Sequence, residues 1–492
     1  MRHLITILLL SLSFTATAAS SKLGEVIPYP FYEVQENQSN KVMVIDSGVA
    51  ALELRLQMIR RAQKNIEVEY FIYNTDIAAK IFTRELVEAA KRGVKVRILI
   101  DKNFATFKFN TYYAAELAPF GIEVKYYNNA PIVKISTVQF RNHRKLLSID
   151  DTEAITGGRN IGDDYFDISH EFNFYDRDIY VTGPMAKVMR ESFDQFFNHK
   201  ISVKLKRKER NENNEVRASK WDAKVAKAKA FLEESPEETL IRSRMADVGV
   251  KVLETYKLHD CPTATFSTDA PGANFKSRLQ QKYLDKFRFL RQTLAEKTLE
   301  VNKAFTLSSP YMIHNGRTRK VMKHLLGNKV DINVYTNSLA STDAVYVAAN
   351  LYLYIKAWAR AGIKIFLHDG KFLNDVPAMS AEAEKARWGT HDKSQVYESN
   401  THTEVMIGTY NIDNRSNFYN TEMALFCRGN DELSLEVKDS ILRRAKKGIQ
   451  IQPDGTGIDG EGKPLNIYGA SKNKVLMMKL ITLPSWLLNF LL

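Results

Sequence analysis

Cysteine is scarce in this chain: its 492 residues include only two, Cys261 and Cys427. No Cys/His cluster has the spacing of a zinc site. Two thiols 166 positions apart can pair if the chain is exported, or can sit as two small buried hydrophobes. Long apolar runs are missing as well. After the N-terminal segment no stretch reaches the ~18 apolar residues that span a bilayer. Acidic residues are outnumbered, 57 Asp plus Glu against 70 Lys plus Arg, for a net charge of +13. That imbalance favours anionic partners, whether phospholipid surfaces, nucleic acids or phosphorylated small molecules, without choosing among them.

What is present begins with a targeting signal. Arg2 precedes an apolar run from Leu4 to Phe14, and Ala16-Thr17-Ala18 offers small residues for signal peptidase. Residues 1–18 read as a signal peptide, so the mature protein is expected outside the cytoplasm, periplasmic or secreted. The chain's other end, residues 437–492, reads as a tail. Its last part, 475–492, is leucine-rich and carries Trp486, but Pro484 interrupts it. It suits either a membrane-interface segment or a helix packed on the core.

Between these ends the chain contains one α/β unit twice. In the first, a strand over Ile66–Ile72 precedes an amphipathic helix over Ile77–Arg92, closed by Gly93. A strand over Val94–Ile100, a helix ending at Gly121 and a strand over Ile122–Tyr127 follow. The second has the same order: a strand from Ala304 to Ser309, a helix from Thr318 closed by Gly327, and a strand from Val330 to Tyr335. A helix from Tyr346 closed by Gly362 and a strand from Ile363 to Leu367 complete it. The spacing predicts lobes over 41–200 and 250–436. The intervening 201–249 is expected to be a solvated, basic, helical linker. Its run Lys204–Arg210 also admits a nucleic-acid reading, but no aromatic interleaves before Trp221.

Each unit leads to a motif, at 137–164 and 385–412. The first holds His143-Arg144-Lys145, Asp150, Gly157-Gly158 and Asn160. The second holds His391-Asp392-Lys393, Glu398, Gly408-Thr409 and Asn411. Residues two apart on a strand share a face. A histidine and a cation facing one pocket suit phosphoryl chemistry: lysine neutralises phosphate oxygens, asparagine adds neutral donors, and imidazole attacks phosphorus or moves a proton.

These residues resemble the phospholipase D superfamily, whose signature is His-x-Lys-x4-Asp-x6-Gly-(Gly/Ser)-x-Asn. The first copy matches throughout. The second has Glu398 for Asp, Thr409 for Gly or Ser, and three extra residues after Glu398. His402, without a lysine two residues on, is taken as a loop residue of that insertion. The strings 157–166, 336–343 and 411–416 also resemble bacterial cardiolipin-synthase-like members. The resemblance implies two αβα sandwich lobes with mixed central sheets, related by a pseudo-twofold axis, in a monomer. It further implies one shared active site with His143, Lys145, Asp150, His391, Lys393 and Glu398 as catalytic residues, Asn160 and Asn411 on the substrate phosphate, and no metal or cofactor. Asp178 is expected to orient His143, and Glu422 to orient His391. The expected activity is phosphodiester hydrolysis or phosphatidyl transfer through a phosphohistidine on phospholipids at a membrane surface. The alternative is an exported nuclease.

Overall fold

The computed structural model describes residues 31–103, 106–131, 133–272 and 286–487. The expected signal peptide, 1–18, lies outside them.

The repeated pattern folds into two mixed sheets. In the first lobe, Asn65–Tyr70, Lys95–Asp101 and Glu123–Tyr127 run parallel. Leu146–Ile149 then pairs antiparallel with Asn65–Tyr70, followed outward by Glu153–Gly157, Asp178–Thr182 and Lys41–Ile45. The second lobe repeats every step. Ala304–Ser308, Asp331–Asn337 and Lys364–His368 are parallel. Ser394–Glu398, Thr403–Gly408, Met423–Arg428 and Thr263–Thr268 extend the sheet antiparallel on the other side. Short edge strands enlarge the sheets to nine and eleven strands.

Helices form where the capping signals predict. Asp76 caps Ile77–Lys91 and Asn315 caps Gly316–Gly327, each through its side-chain oxygen. Gly93 and Gly362 take the left-handed conformation past their helices, at φ 91° and 102°. Gly327 does not. It remains helical, and Lys329 takes the left-handed turn, at φ 55°.

The lobes share a core. Helices Met185–Asn198 and Asp431–Lys446 contribute Met189, Phe193, Phe196, Val437 and Ile441 to a cluster that also contains Leu146, Ile179, Val405 and Leu425 from the two sheets. At its edge Cys261 and Cys427 form a disulfide, with Cα atoms 5.6 Å apart. Pairing is therefore the observed state of these two thiols.

Two further segments pack on these lobes. The segment after residue 200 is helical and mostly exposed, as expected, at Glu215–Ala230 and Pro236–Arg244, but it is anchored on the first lobe at a few points. Ala228, Phe231 and Met245 enter the first lobe's core, and buried Glu238 binds Arg84 and Arg242. Two residues of the basic run are paired locally, Arg207 with Glu116 and Arg210 with Asp222. In the tail, helix Lys472–Leu487 packs Val475, Met478 and Ile481 beside Leu339, Ala348 and Ala349, while Leu476, Met477 and Leu480 stay exposed.

Candidate active site

The strands that carry the motifs also join the lobes. Each His-x-Lys lies in an extended connection entering its strand, Leu146–Ile149 or Ser394–Glu398. There the backbone turns to the opposite lobe for partners. His143 N–H donates to Thr421 O at 3.0 Å, and His391 N–H donates to Tyr175 O at 2.7 Å. The second contact ends a two-stranded parallel ladder between Phe172–Tyr175 and Arg387–Thr390.

This exchange decides which carboxylate meets which imidazole. The residue after Thr421 is Glu422, and the residue after Tyr175 is Asp176. Glu422 Oε2 lies 2.9 Å from His143 Nδ1, and Asp176 Oδ2 lies 2.6 Å from His391 Nδ1. The expected assignment is therefore corrected twice. Glu422 serves His143, not His391. Asp178 serves neither: it is buried against Arg55 at 2.8 Å and Arg159 at 3.1 Å. The sheet register explains the error. Gly157 pairs with Asp178 and Gly408 with Ala424, so the position equivalent to Glu422 is two residues before Asp178.

The motif carboxylates are corrected as well. Seven residues of extended chain cover roughly 23 Å, which carries Asp150 and Glu398 away from the histidines. Asp150 accepts backbone N–H bonds from Gln63, Lys64 and Asn65 at 2.8, 2.8 and 3.0 Å, fixing the entry to strand Asn65–Tyr70. Glu398 pairs with Lys438 at 2.6 Å. Neither lines the cavity that holds the two histidines. His402 lies in the turn between Ser394–Glu398 and Thr403–Gly408, as its place in the insertion implies.

The remaining residues converge. His143, His391, Asn160 and Asn411 line one cavity of about 400 Å³. Lys145 and Lys393 are buried beside it, and each curls back so that its ammonium donates to the carbonyl of its own histidine, at 2.7 Å for Lys145. Asn160 Oδ1 accepts from Ile72 N–H at 3.0 Å, and the same side chain hydrogen-bonds Tyr165, which fixes it at the cavity wall. Phe71 and Phe174 pack on the imidazoles, with ring centroids 5.0 and 4.8 Å away. Thr409, a departure from the signature, donates its hydroxyl to Glu422, as does Ser416 at 2.7 Å. In the first copy Asp176 crowds this position: a Cβ on Gly158 would lie 2.0 Å from Asp176 Oδ1, so only glycine fits.

Burial sets the electrostatics. It pushes both imidazoles well below their usual range, reinforced by Lys145 and Lys393, so both rings are neutral near pH 7. It lowers Lys145 to about 7 and Lys393 to about 8, and it raises Glu422 to about 7. The variable residues inside the two motifs are locked by ion pairs: Arg144 by Glu69 at 3.0 Å, and Asp392 by Arg177 of the other lobe at 3.2 Å.

Motif reading did not identify Asp176, Arg141, Arg415, Tyr311 or Asp343 as site residues, although the last four line the cavity. Asp343 and Arg415 lie in strings, 336–343 and 411–416, that were noted only for their resemblance. Asp176, Arg141 and Tyr311 carry no local signal, because the fold gathers them from separate segments.

Residues 56–197 match the family model described as "Cardiolipin synthase, PLD-like domain". Two uncharacterized proteins of Helicobacter pylori strains are 28% and 29% identical over 85% of this chain and 82% of their own. Cardiolipin synthase C of Escherichia coli is 25% identical over 66% of each chain. Among solved structures, phosphatidylserine synthase of Haemophilus influenzae superposes with a TM-score of 0.61, covering 94% of this chain and 97% of its own at 14% identity, a likeness of fold. These matches show a PLD-like domain over residues 56–197 and make the whole chain similar to bacterial cardiolipin synthases, with its two motifs meeting in one cavity.

Proposed function

We propose that this protein is a phosphatidyltransferase or phosphodiesterase acting on phospholipids through a phosphohistidine, without a metal. The observation that carries this reading is the symmetric pair of imidazoles in one cavity. In each, Nδ1 is held by a carboxylate of the opposite lobe, so Nε2 is free to react. In the first half-reaction one Nε2 attacks phosphorus, and the bond from phosphorus to the leaving alcohol oxygen breaks. The other histidine, neutral in the empty site, takes a proton onto Nε2 as the anionic phosphodiester binds, and gives it to that oxygen. In the second, water or an acceptor alcohol loses a proton to that histidine, its oxygen attacks phosphorus, and the phosphorus–nitrogen bond breaks. Lys145, Lys393, Asn160 and Asn411 offset the charge on the non-bridging oxygens.

The lipid assignment draws on the cardiolipin synthases among the relatives. The exposed Leu476, Met477 and Leu480, beside Lys472 and Lys479 on one helix, are proposed to rest on an anionic bilayer surface. Export is proposed from the leader, and the disulfide suits an oxidising compartment. The test is turnover of phosphatidylglycerol vesicles beside plasmid DNA, with and without EDTA. Lipid turnover that survives chelation is expected. DNA cleavage without lipid turnover would make the protein a nuclease, and loss on chelation with recovery on adding a divalent ion would refute the metal-free mechanism.

A further inference from the structure

The cavity is electrically lopsided. Near His143 stands Arg415, whose guanidinium donates to Gln139 Oε1 at 3.1 Å and to Asn420 Oδ1 at 3.5 Å; it makes no ion pair among the described residues. On the rim near His391 stands Asp343. Its two carboxylate oxygens each lie 3.0 Å from the Tyr311 hydroxyl, and it too has no ion pair among the described residues. Burial lowers both imidazoles first. Beyond that, Arg415 adds to the lowering at His143 and Asp343 opposes it at His391, so the two poles face different histidines.

A carboxylate at the mouth of an anion-handling cavity repels phosphate and needs another partner. Phosphate sits deep, among lysines and asparagines, whereas the alcohol leaves and enters through the mouth. We propose that Asp343, positioned by Tyr311, is a specificity-determining residue that accepts a hydrogen bond from a second donor group, hydroxyl or ammonium, on the alcohol entering or leaving the phosphodiester. Arg415 takes phosphate oxygens at the opposite pole. Tyr346, which also lines the cavity and is 46% exposed, offers its ring to a hydroxylated or cationic alcohol. This assignment rests on the phospholipid reading above.

The test is competition between acceptors in phosphatidyl transfer by the full chain: glycerol or ethanolamine against 1-propanol, which lacks the second donor. A site built to bind that donor discriminates against the alcohol without it, here by about tenfold or more. Asp343→Ala should bring both ratios to within about twofold of unity. Asp343→Asn keeps an acceptor but no charge, so the glycerol ratio should survive while the ethanolamine ratio falls if the ammonium is read by charge. Ratios within one reaction do not depend on the folded fraction. Wild-type ratios near unity, or ratios unchanged in Asp343→Ala, overturn the assignment while leaving lipid turnover intact. A wild type that turns over no phospholipid overturns the parent reading, and this one with it.

Discussion

An imidazole that attacks phosphorus must present Nε2 and hold its proton on Nδ1, and here the holding group comes from across the lobe boundary. Asp176→Asn and Glu422→Gln keep shape but lose the charge that fixes the tautomer. Each should lower kcat roughly 10–100-fold, by analogy with carboxylates that orient metal-bound histidines. Asp178→Asn should behave differently. It leaves Arg55 and Arg159 buried without their counter-ion, so it should cost about 3–5 kcal/mol of stability while activity per folded molecule persists. Chemical denaturation read beside initial rates separates the two classes, and a catalytic loss at Asp178 as large as at Asp176 would reverse the assignment. His143→Ala and His391→Ala should each remove nearly all turnover, with the double variant little worse, because two halves of one catalytic unit are not additive. Glu398→Gln loses a partly exposed pair with Lys438 and should leave kcat within about twofold, as a surface pair worth ~0–1 kcal/mol implies. The histidines and lysines were legible because the chemistry sits inside a short spacing. Of the orienting carboxylates, Glu422 was named but for the wrong histidine and Asp176 was missed, since local spacing cannot reveal a partner supplied by the other lobe.

At the scale of elements, the repeat was readable in advance because period-two strands and capped 3.6-period helices recur in one order. Boundaries moved by a residue or two, and the turn at Lys329 shows why: once Asn328 ends the helix, a non-glycine residue takes the left-handed position. The segment after residue 200 was legible only in part, for another reason. A helix of alternating Ala, Lys and Glu reads as solvated until Phe231 is found against Phe109 and Tyr113. The two cysteines illustrate the same limit, for their pairing depends on Thr263–Thr268 lying beside Met423–Arg428, a long-range contact. That disulfide closes a long loop, so Cys261→Ser or reduction should cost about 2–4 kcal/mol, chiefly by enlarging the unfolded ensemble. Urea unfolding with and without reductant reads the loss, and an unchanged midpoint would show that the bond contributes nothing.

For the whole molecule, the two lobes act as one titrating unit. His143 faces Lys145, Lys393 and Arg415; His391 faces Lys393, Asp343, Lys145 and His143. Burial and these cations keep both imidazoles unprotonated down to well below pH 6.5, so the nucleophile is available throughout the neutral range. The lysines set the other boundary. In the free enzyme Lys145 loses its proton near pH 7 and Lys393 near pH 8, because burial disfavours the ammonium. Below those values both are cationic and can balance a phosphodiester; above them a neutral amine cannot. The alkaline limb of kcat/KM should therefore fall through about pH 7 to 8, far below the ~10.4 of an ordinary lysine. A bound phosphate stabilises the ammonium, so the same limb in kcat should move up by roughly a unit or more, since each unit is only ~1.4 kcal/mol of added attraction. The measurement is a pair of pH profiles, kcat/KM and kcat, on one soluble short-chain phosphatidyl substrate. An alkaline limb of kcat/KM near pH 10 would mean that the lysines are solvated and that the cavity is not the closed, charge-balanced site described above.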